Sequence, residues 1–94
     1  MAYTVLAIIE AKQGFEKSVK EALQELILPT SKEEGCINYD FHQSLDNPAL
    51  FMFYENWTNK ASHQQHDQSS HIHTAREKIQ SIVSRVEVTF WEKT

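Results

Sequence analysis

Four of the five histidines lie close together in the sequence, namely His63, His66, His71 and His73. His63 and His66 are three residues apart and would share one face of a helix, a spacing at which two imidazoles can hold a metal ion. His71 and His73 lie beyond a run of cap-type residues, and on a helix they would point about 200° apart. No cysteine accompanies them. We therefore expect no metal site, and surface positions for His63 and His73.

Two strand-like segments, residues 34–42 and 50–57, are joined by a turn rich in Asp, Asn and Pro. Side chains alternate between the two faces of a strand. One face of the first strand is apolar and carries Ile37, Tyr39 and Phe41. The other face is largely polar and carries Cys36, Asn38, Asp40 and His42. The second strand is bulky on both faces, which predicts that both faces are covered.

This hairpin contains four candidates for substrate binding. Tyr39 and Trp57 either form a flat wall for an aromatic or quinone-like ligand or simply pack within the sheet. Asn38 can donate a hydrogen bond to a developing oxyanion if its face of the strand lines a pocket. The sequence does not decide whether that face lines the pocket or faces the helices. Glu55 is expected to be buried, and a buried carboxylate needs a partner such as a histidine or Arg85.

Strands and helices alternate along the rest of the chain. We predict a strand over 3–11, an amphipathic helix over 15–27, short helices over 61–66 and 71–83, and a strand over 84–92. Pro29 is expected to kink or restart the first helix. The resulting βαββαβ order is typical of a ferredoxin-like α+β fold, in which helices cover one face of a four-stranded antiparallel sheet. The uncovered face would expose apolar residues, so we predict a homodimer packed sheet to sheet.

Composition narrows the class of protein. The chain has 94 residues, a net charge of −4 and only 9 Lys and Arg residues without a basic run, which argues against nucleic acid or an anionic membrane surface as partner. No apolar stretch approaches the roughly 20 residues of a membrane span, and no signal peptide is recognised at the N-terminus. One cysteine cannot form an internal disulfide. We expect one cytoplasmic domain over residues 1–94.

Several motifs together carry a family resemblance. They are Gly14 after the first strand, Glu34-Gly35-Cys36, Tyr54-Glu55-Asn56-Trp57 and His66-x-x-Ser69-x-His71. From about Val5 to Arg85 the sequence resembles the antibiotic biosynthesis monooxygenase (ABM) domain family. The resemblance implies the dimeric α/β barrel form of the ferredoxin-like fold. It also implies relatives that include quinol and polyketide monooxygenases without metal or flavin, haem-degrading enzymes, a sugar-phosphate isomerase and members without a known substrate.

The resemblance matches His66 and His71 to two family histidines near the mouth of the pocket. A neutral imidazole can take a proton from a phenolic or enolic substrate, and the anion so formed can reduce O2 directly. We therefore expect a cofactor-independent monooxygenase that oxidises a quinol or a phenolic, polyketide-like molecule, with His66 and His71 as catalytic residues. The alternative is that both histidines cap helix ends or bond to Glu55.

Other functions remain open at this stage. The haem-degrading relatives use an Asn on the first strand and a Trp in the second helical region, and this sequence has neither there. A small carbonyl or sugar-phosphate isomerase with a histidine proton shuttle fits the Glu33-Glu34-Gly35 and histidine patterns, although a phosphate needs donors such as Arg76, Lys78 or Arg85. A dimeric ligand-binding module without turnover is the third possibility. The substrate cannot be read from the sequence.

Overall fold

The computed structural model describes residues 2–94 and confirms the ferredoxin-like order of elements. The elements are β1 (Tyr3–Ala11), α1 (Glu16–Gln24), α2 (Ile27–Ser31), β2 (Cys36–Gln43), β3 (Leu50–Trp57), α3 (Lys60–Asp67), α4 (Ser70–Ile79) and β4 (Val83–Glu92). The strands form one antiparallel sheet in the order β2-β3-β1-β4. The β1–β2 and β3–β4 connections each contain two short helices, whereas a turn joins β2 to β3, and the helices lie on one face of the sheet.

The core lies between that face and the helices. Helices α1 and α4 each bury residues three or four positions apart, which share one side of a helix. These are Val19, Ala22 and Leu23 in α1 and Ile72, Ala75 and Ile79 in α4. The sheet meets them with large apolar side chains, among them Val5, Ile9, Phe51, Phe53 and Trp57. The core therefore follows the apolar spacing seen in the sequence.

The helix ends differ from the sequence-based expectation. α1 ends at Gln24, upstream of Pro29, and α2 begins at Ile27. Pro29 then lies in the first turn of α2, where a missing amide proton removes no intrahelical bond. α4 ends at Ile79, so residues 80–83, which were expected to be helical, form a turn and the first residue of β4.

The hairpin departs from strict alternation at one residue. The pairing of β2 with β3 skips Ile37, which lies in a bulge and is 57% exposed. Cys36 on its N-terminal side packs against the core instead. A bulge places two residues of one strand opposite one residue of the partner strand. The alternation of side chains therefore does not continue unchanged from one side of the bulge to the other. The expectation that Ile37 shares a face with Tyr39 and Phe41 was therefore wrong.

Gly35 fixes the turn between α2 and β2 against α3. Its φ of 85° lies in the left-handed region, which favours glycine. Its carbonyl accepts a hydrogen bond from the Thr58 amide at 2.8 Å, and a Cβ on Gly35 would collide with the Ser62 side chain. Both the conformation and the close approach require glycine, and together they hold nearby Glu33 beside α3.

The helices leave the β4 edge of the sheet uncovered. Val86, Val88 and Phe90 pair with β1 residues of the core face, so they point to the helical side of the sheet. They are nevertheless 56%, 43% and 55% exposed. Val86 and Val88 form part of the wall of the cavity described below.

The other side of the sheet, called here the open face, mixes apolar and polar side chains. Tyr54 and Trp91 lie on it and are 42% and 56% exposed. A row of hydrogen bonds crosses the same face: the Thr4 hydroxyl donates to Asn56 Oδ1 at 2.5 Å, and the Asn56 amide donates to Asn38 Oδ1 at 3.0 Å. The open face is thus less apolar than the sequence led us to expect.

Candidate active site

A cavity of about 410 Å³ lies between the helices and the sheet. Most of its wall is apolar, with contributions from Ala7, Ile9, Leu23, Ile72, Val86 and Val88. Polar groups enter it chiefly from β2, β3 and α3; they include Tyr39, Glu55, His63 and His66. A volume of this size with an apolar wall and a few convergent polar groups is typical of a small-molecule site.

His66 is held in this cavity between two aromatic rings. It lies in the last turn of α3, a helix that starts at the Asn59 cap, whose side chain accepts from the Ser62 amide at 2.9 Å. Its imidazole centroid is 4.8 Å from that of Trp57 and 5.3 Å from that of Tyr39. The residue is only 3% exposed. Its ring is therefore fixed by packing as well as by hydrogen bonding.

The carboxylate of Glu33, in the turn between α2 and β2, contacts two histidines at once. Glu33 Oε2 lies 2.6 Å from His66 Nδ1 and 3.0 Å from His71 Nε2. We call these three residues the Glu33 corner. A carboxylate can only accept, so each imidazole donates an N–H to it. His71 does not line the cavity; it contacts Glu33, which in turn contacts His66.

The hydrogen bond to Glu33 determines which nitrogen of His66 is free. With Nδ1 carrying the proton, Nε2 keeps its lone pair. Nε2 has no hydrogen-bond partner among the described residues, and His66 lines the cavity. Burial lowers the pKa of His66, and the neighbouring Glu33 opposes this only in part. His66 is therefore a neutral imidazole at pH 7 with a basic nitrogen facing the cavity.

A second carboxylate occupies a different environment. Glu55 is 3% exposed, and its Oε1 accepts a hydrogen bond from Trp57 Nε1 at 3.0 Å. His63 Nε2 lies 3.9 Å from the same oxygen. We call Glu55, Trp57 and His63 the Glu55 corner. Arg85, which was one expected partner, is instead paired with exposed carboxylates.

Burial sets the protonation of the Glu55 corner. Loss of solvent raises the pKa of Glu55 to about 7, although the hydrogen bond from Trp57 acts in the opposite direction. Burial lowers the pKa of His63, with a further contribution from nearby His66. Near pH 7 the carboxyl of Glu55 can therefore give or take a proton inside an apolar cavity.

The structure places the predicted aromatic residues differently from one another. Tyr39 is 6% exposed, lines the cavity and stacks on Phe53 at 4.5 Å between ring centroids. Burial raises its pKa, so its phenol remains protonated. Trp57 is fully buried and does not line the cavity. It supports His66 and Glu55 from behind instead of offering a ligand a free face.

Asn38 lies on the open face, away from the cavity. Its amide donates to Asp40 Oδ2 at 3.1 Å and to the Tyr54 carbonyl at 3.2 Å. The sequence left open which face of β2 would line a pocket, and the structure turns the polar face away from the helices. An oxyanion-binding role for Asn38 in this cavity therefore has no geometric support.

The expectation of a surface position was wrong for His63, which is 8% exposed, whereas His73 is exposed. A signal was present in the sequence, because α3 has no large aliphatic residue with which to cover the sheet. The two histidines three residues apart are its largest side chains on one face, and that face packs inward. Glu33 was not among the expected site residues, because the sequence indicated it only as part of the Glu33-Glu34-Gly35 pattern.

The rim of the cavity carries one ion pair. Arg76 Nη2 lies 2.5 Å from Asp67 Oδ1, and both side chains are about half exposed, at 55% and 54%. Arg76 is the only Lys or Arg among the lining residues of the described chain. A phosphate group in the cavity would have to compete with Asp67 for it.

Comparison with known proteins identifies the class of protein. The sequence model of the family described as antibiotic biosynthesis monooxygenase matches residues 2–78. The match covers most of the chain and agrees with the ferredoxin-like fold. The chain belongs to the antibiotic biosynthesis monooxygenase family.

Individual relatives are distant in sequence but close in structure. PA3566 from Pseudomonas aeruginosa has a TM-score of 0.95 and 25% identity, with 99% of this chain and 94% of that chain covered. A conserved protein from Methanosarcina mazei has a TM-score of 0.91 and 28% identity, covering 100% of this chain and 94% of that one. The uncharacterized protein sll1783 from Synechocystis is 32% identical over 62 residues, which is 66% of this chain and 42% of that protein. The match therefore spans less than half the length of the Synechocystis protein.

None of the helices within residues 2–94 has the length and apolar character needed to cross a bilayer.

Proposed function

We propose that this protein is a cofactor-independent monooxygenase that oxidises a phenolic or hydroquinone-type aromatic molecule with O2. The observation that supports it best is His66: a neutral, rigidly held imidazole whose free Nε2 faces an apolar cavity. Membership in the antibiotic biosynthesis monooxygenase family supports the reaction class. The particular substrate and the use of O2 are parts of the proposal.

His66 Nε2 begins the reaction by taking the phenolic proton. The apolar wall of the cavity offers few donors to stabilise the phenolate, which remains electron-rich. It transfers one electron to O2, and the resulting radical pair joins to form a carbon–oxygen bond at a ring carbon that bears hydrogen. The protonated His66 then returns its proton to the peroxide.

Loss of water completes the reaction. A base removes the proton from the oxygenated carbon, the O–O bond breaks and a second carbonyl forms. Glu55 lines the same cavity and is partly ionised near pH 7, so we assign it this second proton transfer. The balance is one phenol and one O2 giving one quinone and one water. All four electrons come from the substrate, and no external reductant is required.

Oxygen uptake by chelator-treated protein tests the proposal. A panel of fused-ring phenols and hydroquinones would be offered, with protein-free blanks for autoxidation and 18O2 to follow incorporation. His66→Gln keeps a side-chain donor for Glu33 but removes the base, so we expect kcat to fall about 10²- to 10⁴-fold. His73→Ala is the matched control, because His73 is exposed on α4, and its kcat should be unchanged.

The oxygen-uptake results separate a monooxygenase from the other candidate functions. Uptake that survives chelation, falls in His66→Gln and incorporates one labelled oxygen per product would support it. Uptake that is lost on chelation, or that is equal in His66→Gln and wild type, would overturn it. An absence of uptake with every compound would favour an isomerase or a binding module, which anaerobic turnover and ligand titration would then separate.

We also propose that the chain forms a homodimer through the open face. Exposed Tyr54 and Trp91 on that face support it. Sedimentation equilibrium tests this, and we expect Trp91→Lys to shift the protein towards a monomer. A wild-type protein that is monomeric at micromolar concentration would contradict it.

A further inference from the structure

The Glu33 corner brings together three metal-ligating side chains from three separate segments of the chain. Glu33 comes from the turn after α2, His66 from the end of α3 and His71 from the start of α4. Their ligating atoms all lie within 4.8 Å of one another. We propose that this corner binds a divalent transition metal of the zinc class through the Glu33 carboxylate, His66 Nδ1 and His71 Nε2.

Two of the three separations between the ligand atoms are slightly shorter than in a tetrahedral site. Metal–ligand bonds of about 2.0–2.1 Å place neighbouring ligand atoms roughly 3.3 Å apart in a tetrahedral zinc site. Here the carboxylate oxygen lies 2.6 Å from His66 Nδ1 and 3.0 Å from His71 Nε2. Small side-chain rotations would open these separations to the required value. Two histidines and one carboxylate leave a fourth position for water.

The surroundings also favour a cation. The side chains of Glu33 and His71 are 18% and 22% exposed, so an ion can reach them without unfolding the protein. Two imidazoles and a carboxylate form a borderline donor set that suits Zn²⁺ and Co²⁺ better than Ca²⁺ or Mg²⁺.

The break between α3 and α4, which the sequence argument counted against a metal site, is what brings His66 and His71 together. On one continuous helix His66 and His71 would diverge. The cap at Ser69, whose side chain accepts from the Ile72 amide, starts a new helix that brings the His71 ring to 5.9 Å from that of His66, centroid to centroid. Glu33 then completes a ligand set that no local spacing reveals.

Metal binding would alter the atom of His66 that faces the cavity. A metal needs the lone pair of Nδ1, so the proton of a neutral imidazole moves to Nε2. Nε2 then donates and can no longer take a proton from a substrate. This consequence rests on the proposed function, and it makes the bound metal an inhibitor of that function. The binding itself does not depend on it.

Metal titration of the chelator-treated full chain tests the site directly. Co²⁺ would be followed by its visible absorption, and Zn²⁺ by competition with a chromophoric chelator. We expect one ion per chain in wild type and in the His73→Ala control. Glu33→Gln and His71→Ala should each weaken binding by at least about tenfold, the lower range of effects seen around metal sites. Circular dichroism would verify that the variants are folded.

Two results would overturn the metal site. One is wild-type binding weaker than millimolar, and the other is equal affinity in wild type, Glu33→Gln and His71→Ala. Oxygen uptake with added Zn²⁺ then separates this inference from the proposed function. Binding without any uptake in the absence of metal leaves the site standing and rejects the function, whereas uptake without binding does the reverse. Stimulation of uptake by Zn²⁺ would overturn the inhibitory role.

Discussion

The Glu33 corner and the Glu55 corner use the same residue types to different ends. Glu33 accepts hydrogen bonds from the N–H groups of two imidazoles, at 2.6 and 3.0 Å. Glu55 receives one N–H from Trp57, and its nearest imidazole nitrogen is 3.9 Å away. Glu33 also retains some solvent contact, with a side chain 18% exposed against 4% for Glu55.

The difference shows how hydrogen-bond donors and solvent exposure give two carboxylates different properties. A carboxylate that accepts hydrogen bonds from two donors can orient both of them. A carboxylate that is buried with a single donor has a raised pKa and exchanges protons near pH 7. In this protein the first corner holds His66 in place, and the second carries a carboxyl group that can exchange a proton near pH 7.

Removal of Trp57 should disrupt both corners and have the largest effect on stability. Its side chain is fully buried, packs on His63 and His66 and donates to Glu55. We expect Trp57→Ala to lower the free energy of unfolding by about 3–5 kcal/mol, measured by urea denaturation. Trp57→Phe retains a ring and removes the donor, so it should cost less. A loss below about 1 kcal/mol in Trp57→Ala would contradict this view of the site.

A methyl group at Gly35 should disturb the Glu33 corner selectively. Gly35→Ala combines a positive φ with a collision against Ser62, and we expect it to lower the free energy of unfolding by about 2–4 kcal/mol. Gly14→Ala is the matched control, because Gly14 has a φ of 91° but open space around it. It should cost only about 1–2 kcal/mol. Equal losses in the two variants would show that the contact with α3 is unimportant.

The Glu55 corner should make stability depend on pH. The pKa of Glu55 is raised from 4.5 to about 7 in the folded state, so the folded protein binds this proton more tightly than the unfolded chain. The corresponding stability is present below about pH 4.5 and is lost as the pH rises through 7. Glu55→Gln removes this loss and keeps an acceptor for Trp57.

We therefore expect Glu55→Gln to exceed wild type at pH 8 by on the order of 1–3 kcal/mol in the free energy of unfolding, and to match it near pH 4.5. Denaturation at a series of pH values measures both. Glu34→Gln, at an exposed carboxyl, is the control and should follow wild type. A constant difference between Glu55→Gln and wild type across the pH range would refute the raised pKa.

The sequence was sufficient for the fold because the fold depends on local apolar spacing. Val19 and Leu23 in α1, and Ile72 and Ile79 in α4, point to the sheet as their spacing predicts. The bulge at Ile37 was not predictable in this way, since a bulge depends on the partner strand and not on alternation within one strand.

The candidate site was predictable only in part. Motif resemblance selected His66, which the structure places in the cavity, and the burial of Glu55 followed from its position in an apolar strand. The bond from Glu33 to His66 joins residues 33 positions apart, so it arises from the packing of α3 against the preceding turn. The burial of His63 likewise depends on which side of α3 meets the sheet.

At Val86 and Val88 the shape of the cavity can change without a change in the hydrophobic core. Both residues line the cavity, yet they are half exposed and contribute little to the core. Substitutions there can reshape the chamber for a different ring system at a small cost in stability, typically within about 0.5 kcal/mol for exposed positions. The last strand can therefore vary the shape of the cavity while the hydrophobic core and the polar groups of the cavity stay unchanged.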